Sequence, residues 1–293
     1  MAWCVTKNVT IVTENVTIAF FETISKQYKS STLWKIYSML RSVLNIRQNI
    51  DISKYTKLQA LLRRCSAGYE PKKSYILEYA HIETFINLQS PKGVISLPPP
   101  DRDYLAVKIV LIMGYSGACR RDELANLSIE CIAYKIDSVF VAISNTKTKT
   151  PRLFATTNPA WINLIKEYAS LRTSHITHKR FFIYYRQCRC TVQPIGINKI
   201  GEMPRIIAKF LQLPDASNFS GPCFRRSSAL HLANSGSDLI TLKRHGDWKS
   251  SAVAECYVDA SIKKKNEVAE ILSSNLGHSR ITESPSTAEP STF

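Results

Sequence analysis

Residues 68 to 74, Gly-Tyr-Glu-Pro-Lys-Lys-Ser, interrupt a chain that is otherwise patterned for regular structure, and this connector does most to limit how the chain can fold. A glycine and a proline so close together stop a helix and deny a strand its ladder of hydrogen bonds. The segments on either side of the connector must each build a core of their own. The 293 residues are enough for both, since compact domains run to roughly 100 to 150 residues each. The pattern predicts a helical domain over 1–70, a linker over 71–80, a larger domain over 81–272 and a tail over 273–293. The tail is rich in Ser, Thr, Pro and Glu with little to bury, and is expected to be disordered.

The first domain reads as helices. Ser30-Ser31-Thr32 is a capping signal, and after it Leu33, Ile36, Tyr37, Leu40, Val43 and Leu44 recur at helical spacing. Lys35, Arg41 and Arg47 fall on the opposite side, which makes an amphipathic helix with a basic face. Flanking helices are expected around Val16 to Tyr28 and Tyr55 to Arg64. A basic face is either a solvated surface or a contact for a polyanion, and this segment alone does not choose between them.

In the larger domain, Gln89 to Asp103 holds Pro91, Gly93 and Pro98-Pro99-Pro100 and reads as an extended loop. Leu105 to Met113 comes next as a buried helix. Val139 to Ser144 has strand composition, Asn145 to Pro151 can turn, and Arg152 to Ala155 can return, giving a β-hairpin with Lys147 and Lys149 near its tip. Helices are expected at Ala160 to Leu171 and Gly201 to Leu211, the second with Met203, Ile206, Ile207, Phe210 and Leu211 as one core stripe. The fold class is therefore mainly α with a small β-hairpin or sheet, an α+β arrangement.

The chain carries 39 Lys and Arg against 23 Asp and Glu, a net charge of +16. Such a surplus points first to nucleic acid and second to a membrane surface. No N-terminal stretch has the layout of a signal peptide, and the longest apolar run, Tyr104 to Tyr115, is broken by Lys108 and too short to span a bilayer. The expected place is intracellular, nuclear or otherwise, and not secreted or in a membrane. Eight cysteines, Cys4, Cys65, Cys119, Cys131, Cys188, Cys190, Cys223 and Cys256, lack the spacing of a disulfide framework and read as reduced thiols. His175, His178, Cys188 and Cys190 form the one metal-like cluster, but Cys-x-Cys fits zinc geometry poorly, so no metal is expected.

The chemistry sits in the second half of the chain. Attack on a phosphodiester needs an in-line nucleophile, cations on the non-bridging oxygens and an acid for the departing oxygen. Arginine suits the cationic task because its planar fork stays charged and binds two oxygens at once. Arg120 with Glu123 three residues on, and Arg225 followed by Arg226, are the candidates. A lysine on a hairpin tip can deliver a proton, which fits Lys147 or Lys149, and a tyrosine can form a covalent phosphoester. Lys243 and Arg244, beside Gly246 and Trp248, add positive charge for DNA.

In order along the chain come Gly117, Arg120, Glu123 and Leu124; Thr146-Lys147-Thr148; Arg225; Gly246 and Trp248; and Tyr257 nine residues after the tryptophan. This series closely resembles the tyrosine recombinases, over about Val16 to Ile271. Residues 31 to 44 and 117 to 124 resemble the eukaryotic branch related to Crypton transposons. The resemblance implies a helical core-binding domain of the SAM-like type and a catalytic domain that together clamp duplex DNA. It implies that Arg120 and Arg225 hold the scissile phosphate while Glu123 orients Arg120 or its neighbours. Lys147 would protonate the leaving 5′ oxygen, Trp248 would hydrogen-bond the phosphate and Tyr257 would become a 3′-phosphotyrosine. Bond energy kept in that link removes the need for a metal or nucleotide cofactor, and a tetramer on DNA would exchange strands.

Two positions depart from that pattern. The family places histidine three residues before Arg225, where this chain has Pro222, which offers neither a donor nor an acid. Asp247 puts a negative charge beside the phosphate site. Taken singly, Tyr257 and Trp248 read as core residues, Arg120 and Arg225 as structural ion-pair residues, and Lys147 as a solvated turn residue. Their joint order favours a recombinase over that reading. The alternatives are a catalytically degenerate DNA-binding protein that keeps the fold, and a type IB topoisomerase, disfavoured by the motif wording.

Overall fold

The computed structural model describes residues 2–87, 100–144, 146, 150–186 and 189–277, and it divides the chain into two compact units, Met1–Lys73 and Ser74–Phe293.

The first unit contains α1 (Ala2–Thr6), α2 (Glu14–Ser25), α3 (Ser30–Gln48) and α4 (Thr56–Ser66). Leu33, Tyr37 and Leu44 recur on one side of α3 and meet Phe21, Leu58 and Leu62 in a core of their own. Glu14 reaches from the first turn of α2 to accept the Lys57 N–H at 2.8 Å, satisfying a donor that the start of α4 leaves open. Asn49 ends α3 in the left-handed conformation, φ 53°, a place asparagine tolerates. One expectation is corrected here. The helix starts at Ser30 with Lys29 at its N-cap and no side-chain cap bond, so Ser31 and Thr32 lie inside the first turn. Lys35, Arg41 and Arg47 are exposed along α3, and Arg41 pairs with Asp51 at 3.6 Å.

The second unit is arranged around α6 (Pro100–Ser116), which comes after α5 (Tyr79–Asn87) and whose residues Ile109 to Met113 are wholly buried. Pro100 begins this helix, as proline can because its missing N–H would be unpaired at a first turn. The predicted loop therefore gives way to helix over residues 100–103, and the rest of that segment lies outside the described residues. After α7 (Arg121–Ala125) come β1 (Ile132–Tyr134), β2 (Val139–Ile143) and β3 (Arg152–Thr156), an antiparallel sheet in that order. Val139, Val141 and Ile143 of β2 turn inward, and the register sets Val141 against Phe154 and Ile143 against Arg152. Next along the chain are α8 (Pro159–Ser170), a second hairpin of β4 (Ile183–Arg186) and β5 (Arg189–Pro194), and α9 (Ile197–Phe210).

The chain ends in α10 (Cys223–Asn234), α11 (Leu239–His245), α12 (Ser251–Asp259) and α13 (Ile262–Gly277). The architecture is mainly helical with small antiparallel sheets. Two expectations in this region change. α9 begins a turn earlier than Gly201, taking Pro204 into its interior, and Phe210 is 42% exposed although it meets Phe85 edge-on and Tyr104 at a tilt. Ser273 to Gly277 are helical, because α13 is capped by the buried Ser261, which accepts the Lys264 N–H at 3.2 Å and donates to Asn234 at 2.7 Å. Residues 278–293 lie outside the described residues.

Candidate active site

Two helix ends build the site. α6 ends at Ser116, and Ala118 then takes a left-handed φ of 43° while Cys119 N–H bonds the Gly114 carbonyl at 3.0 Å and Ala118 N–H the Tyr115 carbonyl at 3.2 Å. α11 ends in the same way: Asp247 has φ 48°, its N–H bonds the Arg244 carbonyl at 3.1 Å, and Trp248 N–H bonds that of Lys243 at 3.1 Å. Both are Schellman turns, which close a helix and leave its last carbonyls facing outward. The residue before each left-handed position is glycine for a steric reason. A Cβ on Gly117 would lie 2.4 Å from the Phe154 ring, and one on Gly246 2.4 Å from the Trp248 ring.

Three arginines take those carbonyls. Arg225, buried on α10, donates to Ala118 O at 2.8 Å and to Gly246 O. Arg152, at the start of β3, donates to Gly117 O and, at 3.5 Å, to His245 O. Arg120, at the N-cap of α7, reaches Asp247 O at 3.5 Å. The negative ends of α6 and α11 thus point at a concentration of positive charge, a favourable arrangement for a buried cation.

Glu123 supplies the counter-charge. Its side chain is completely buried; Oε1 accepts from Arg120 Nη1 at 2.5 Å, and Oε2 accepts from Arg152 Nη2 at 2.5 Å and from the Arg120 backbone N–H at 2.8 Å. Burial alone would raise this carboxyl, but the Arg120 N–H and the two guanidiniums hold it below the usual carboxylate range. Asp247 Oδ2 adds a second ion pair with Arg120 at 3.3 Å. Among the described residues Arg225 has no carboxylate ion pair, and burial with Arg120 and Arg152 nearby brings it down to about 10, still charged at neutral pH.

The Arg225 guanidinium lies over the Trp248 ring, 5.0 Å from its centroid, and Trp248 stacks on Tyr257 at 5.0 Å with 19° between the planes. Tyr257 belongs to α12, and burial raises its hydroxyl against the pull of Arg226 and Arg225. Arg226 follows Arg225 on α10, half-buried. Pro222 is exposed at the N-cap of α10, where proline's fixed φ and missing N–H cost nothing. His245 turns inward and shares a 2.7 Å hydrogen bond between Nε2 and Ser228 Oγ. Burial, with Arg152 and Arg225 adding to it, pushes its ring down to about 4, so it is neutral at pH 7.

The structure therefore brings Arg120, Glu123, Arg225, Trp248 and Tyr257 into one neighbourhood. Arg152 joins them, and sequence reasoning missed it: its only local signal is a strand start, while its partners lie far along the chain. A cleft of about 440 Å³ opens beside them, lined by Arg152, Lys243, Arg244, Asp247, Trp248 and Ser251. Lys147 and Lys149 lie outside the described residues; Thr146 Oγ1 receives the Thr150 N–H at 3.0 Å and donates to the Thr150 carbonyl at 2.8 Å. Lys35, Arg41 and Arg47 belong to the other unit.

Among the described residues no group of three or more His, Cys, Asp or Glu is placed to hold a metal ion. Cys188 and the Cys190 side chain lie outside them, and both ring nitrogens of His178 already meet backbone groups, at 3.0 and 3.2 Å. Cys65, Cys119, Cys131, Cys223 and Cys256 are free. No described helix is long and apolar enough to cross a membrane.

A family model described as the phage integrase family matches residues 94–264. Among solved structures the chain is similar to the XerH site-specific recombinase bound to palindromic difH substrate in a post-cleavage complex. Identity is 15% and the TM-score 0.62, over 89% of this chain and 73% of that one. It is also similar to the Tn1549 transposon integrase in complex with transposon right end DNA, with 16% identity and TM-score 0.60 over 89% and 86% of the two chains. A lambda integrase dimer bound to a COC′ core site gives 12% identity and TM-score 0.52 over 84% and 79%. At such identities these likenesses are of fold. No curated protein sequence matches the chain.

Proposed function

The chain belongs to the phage integrase family, and from that premise we propose that it breaks and rejoins duplex DNA through a phosphotyrosine at Tyr257. Arg120 and Arg225 bind the non-bridging oxygens of the scissile phosphate. The Tyr257 oxygen attacks phosphorus and passes its proton to solvent water, the bond to the 5′ oxygen breaks, and Lys147, or Lys149 two residues on, protonates that oxygen. The 3′-phosphotyrosine keeps the energy of the broken ester, so reversal by a second 5′ hydroxyl reseals DNA without a nucleotide cofactor. The observation that carries this reading is the stack of Arg225, Trp248 and Tyr257 with Arg120 beside it. The arginines stabilise charge as it shifts in the transition state, the largest contribution a site of this kind makes.

Lys35, Arg41 and Arg47 on the first unit, with Lys243 and Arg244 on the second, supply phosphate contacts along the duplex. Strand exchange requires several bound copies, and we assign a tetramer on DNA. The resemblance of residues 31 to 44 and 117 to 124 to the Crypton-related branch supports a transposon origin and a nuclear site of action.

One observation favours a second reading, a DNA-binding protein that retains the fold without turnover. Pro222 offers no proton donor or acceptor at the place where the family has histidine. Removing one positioned donor costs about 100-fold to 1000-fold in rate. The two readings separate on duplexes selected for binding from a random pool, then nicked so that cleavage traps the protein. A recombinase gives a covalent adduct on a denaturing gel that Tyr257→Phe abolishes, and Pro222→His raises its yield. Salt-sensitive binding with no adduct in either the native protein or Pro222→His establishes the second reading and overturns the first.

A further inference from the structure

Asp247 stands where glycine would cost least. Its left-handed φ of 48° comes just after the C-cap of α11, in a turn that favours glycine because a Cβ crowds that backbone. An aspartate here needs a reason in its side chain, and that side chain sits on Arg120. Oδ2 accepts from Nη1 at 3.3 Å while the Asp247 carbonyl accepts from Nη2 at 3.5 Å. The two carboxylates on this guanidinium differ in access. Glu123 is fully buried, whereas the Asp247 side chain keeps 13% of its surface and lines the cleft with Lys243 and Arg244.

We propose that Asp247 is a displaceable stand-in for phosphate: its carboxylate holds the cleft side of Arg120 in the free protein, and a DNA phosphate takes that place by driving it off. The proposal rests on the assignment of Arg120 to phosphate and deepens it by naming the competitor. A phosphodiester brings the same single charge and two oxygens suited to the guanidinium fork, so the exchange conserves charge at Arg120. The released carboxylate has Lys243 and Arg244 within its own cleft to turn to. Binding then starts from an Arg120 already paired on its cleft side as well as with Glu123, which lowers affinity for any duplex that cannot repay the exchange with further contacts.

The test is equilibrium binding of a fluorescein-labelled random-sequence duplex by the full chain across a series of KCl concentrations. Asp247→Asn keeps the shape and tolerance of the left-handed backbone, and Asp247→Gly relieves it, so at least one retains the fold, checked by circular dichroism. Either variant should bind about tenfold more tightly at a given salt concentration, with log K falling more steeply against log salt by about one. Adding Arg120→Ala should remove the gain. If Arg120→Ala weakens binding but the Asp247 variants bind no better than the native protein, or worse, the proposal is overturned and Asp247 merely positions Arg120. If Arg120→Ala leaves binding unchanged, the phosphate assignment itself falls.

Discussion

Arg225 is held by the carbonyls of two helix ends and Arg120 by one such carbonyl and two carboxylates, at the edge of the main core, whereas Tyr257 stands on a nine-residue helix in which only Ala254 is buried. The neighbours of the arginines include Cys119, Leu124, Phe154 and Phe224; those of the tyrosine are a small cluster built on Ala229, Ala233, Leu242 and Ala254. The first half of the site is made by folding, since Arg225 and Arg152 are largely withdrawn from water and depend on carbonyls and carboxylates that only the folded chain supplies. The second half rests on little apolar area and one ring stack, so it can shift without the domain unfolding. Phosphate binding wants fixed charges, and in-line attack wants a nucleophile that can approach. If the site acts as proposed, that division of labour comes from how much each half buries.

Glu123→Gln should break that comparison most severely if it is wrong. Removing its charge leaves Arg120 and Arg152 with a neutral partner in a buried place, a loss of about 3–5 kcal/mol in stability. Tyr257→Phe, which keeps the ring stack, should cost less than about 1 kcal/mol while removing the covalent adduct entirely. Urea unfolding of the two variants measures both numbers. A tyrosine variant as unstable as the glutamate one would show that the two halves fold as one.

Acid sharpens the same contrast. The unfolded His245 ring takes a proton near its ordinary 6.5, but the folded ring resists until about 4. Between those values unfolding takes up a proton, so stability falls as pH falls, by up to about 3 kcal/mol. His231, also lowered by burial, adds to the slope in this window, while Glu123, held below its ordinary 4.5, loses its contribution only under still more acidic conditions. His245→Gln, whose amide can still meet Ser228, should flatten the slope from pH 6.5 down to about 4 and leave it unchanged well below that. An unaltered slope would mean that the ring is already hydrated in the folded state.

These residues also mark what the sequence could and could not disclose. α3 and α8 were legible because apolar residues repeat at helical spacing over several turns, and β2 because Val139, Val141 and Ile143 alternate. β1 is three residues long, too short for alternation to show, and Tyr, Arg, Cys and Thr in β4 and β5 mask a hairpin. The left-handed conformations fall on Ala118 and Asp247, residues with no glycine's freedom, while the glycines before them, at 117 and 246, are needed for ring clearance. Arg152 was invisible since its partner Glu123 lies 29 residues away. Non-local pairing of this kind leaves no local pattern.

Trp248 connects the halves, with Arg225 on one side of the stack and Tyr257 on the other. Trp248→Leu keeps apolar bulk but removes the ring electrons, so stability should fall by about 1 kcal/mol. If Tyr257 and Arg225 act as proposed, the effect on chemistry should be larger than on stability, because both groups lose their common reference plane. Adduct yield on the nicked duplex, set against the urea midpoint, reads the two separately. Equal losses in both would place Trp248 wholly in the core.

The smallest effects belong to the cleft wall. Arg244 is exposed at the end of α11, and Lys243 reaches Ser251 at 3.4 Å, so neither is committed to a buried pair. Lys243→Ala and Arg244→Ala should each change stability by no more than about 0.5 kcal/mol. Each should weaken duplex binding several-fold and lower the salt slope by about one, the loss of one phosphate contact. Arg41→Ala, on the other unit, should lower it by less, since Arg41 already faces Asp51 at 3.6 Å and gives up part of that pair to bind. Arg120 and its carboxylates differ in kind: there the charges are compensated within the protein, and on the exchange proposed above binding swaps partners instead of adding one. Equal slopes for Arg244→Ala and Arg120→Ala would erase that difference and return the arginine half of the site to an ordinary basic surface.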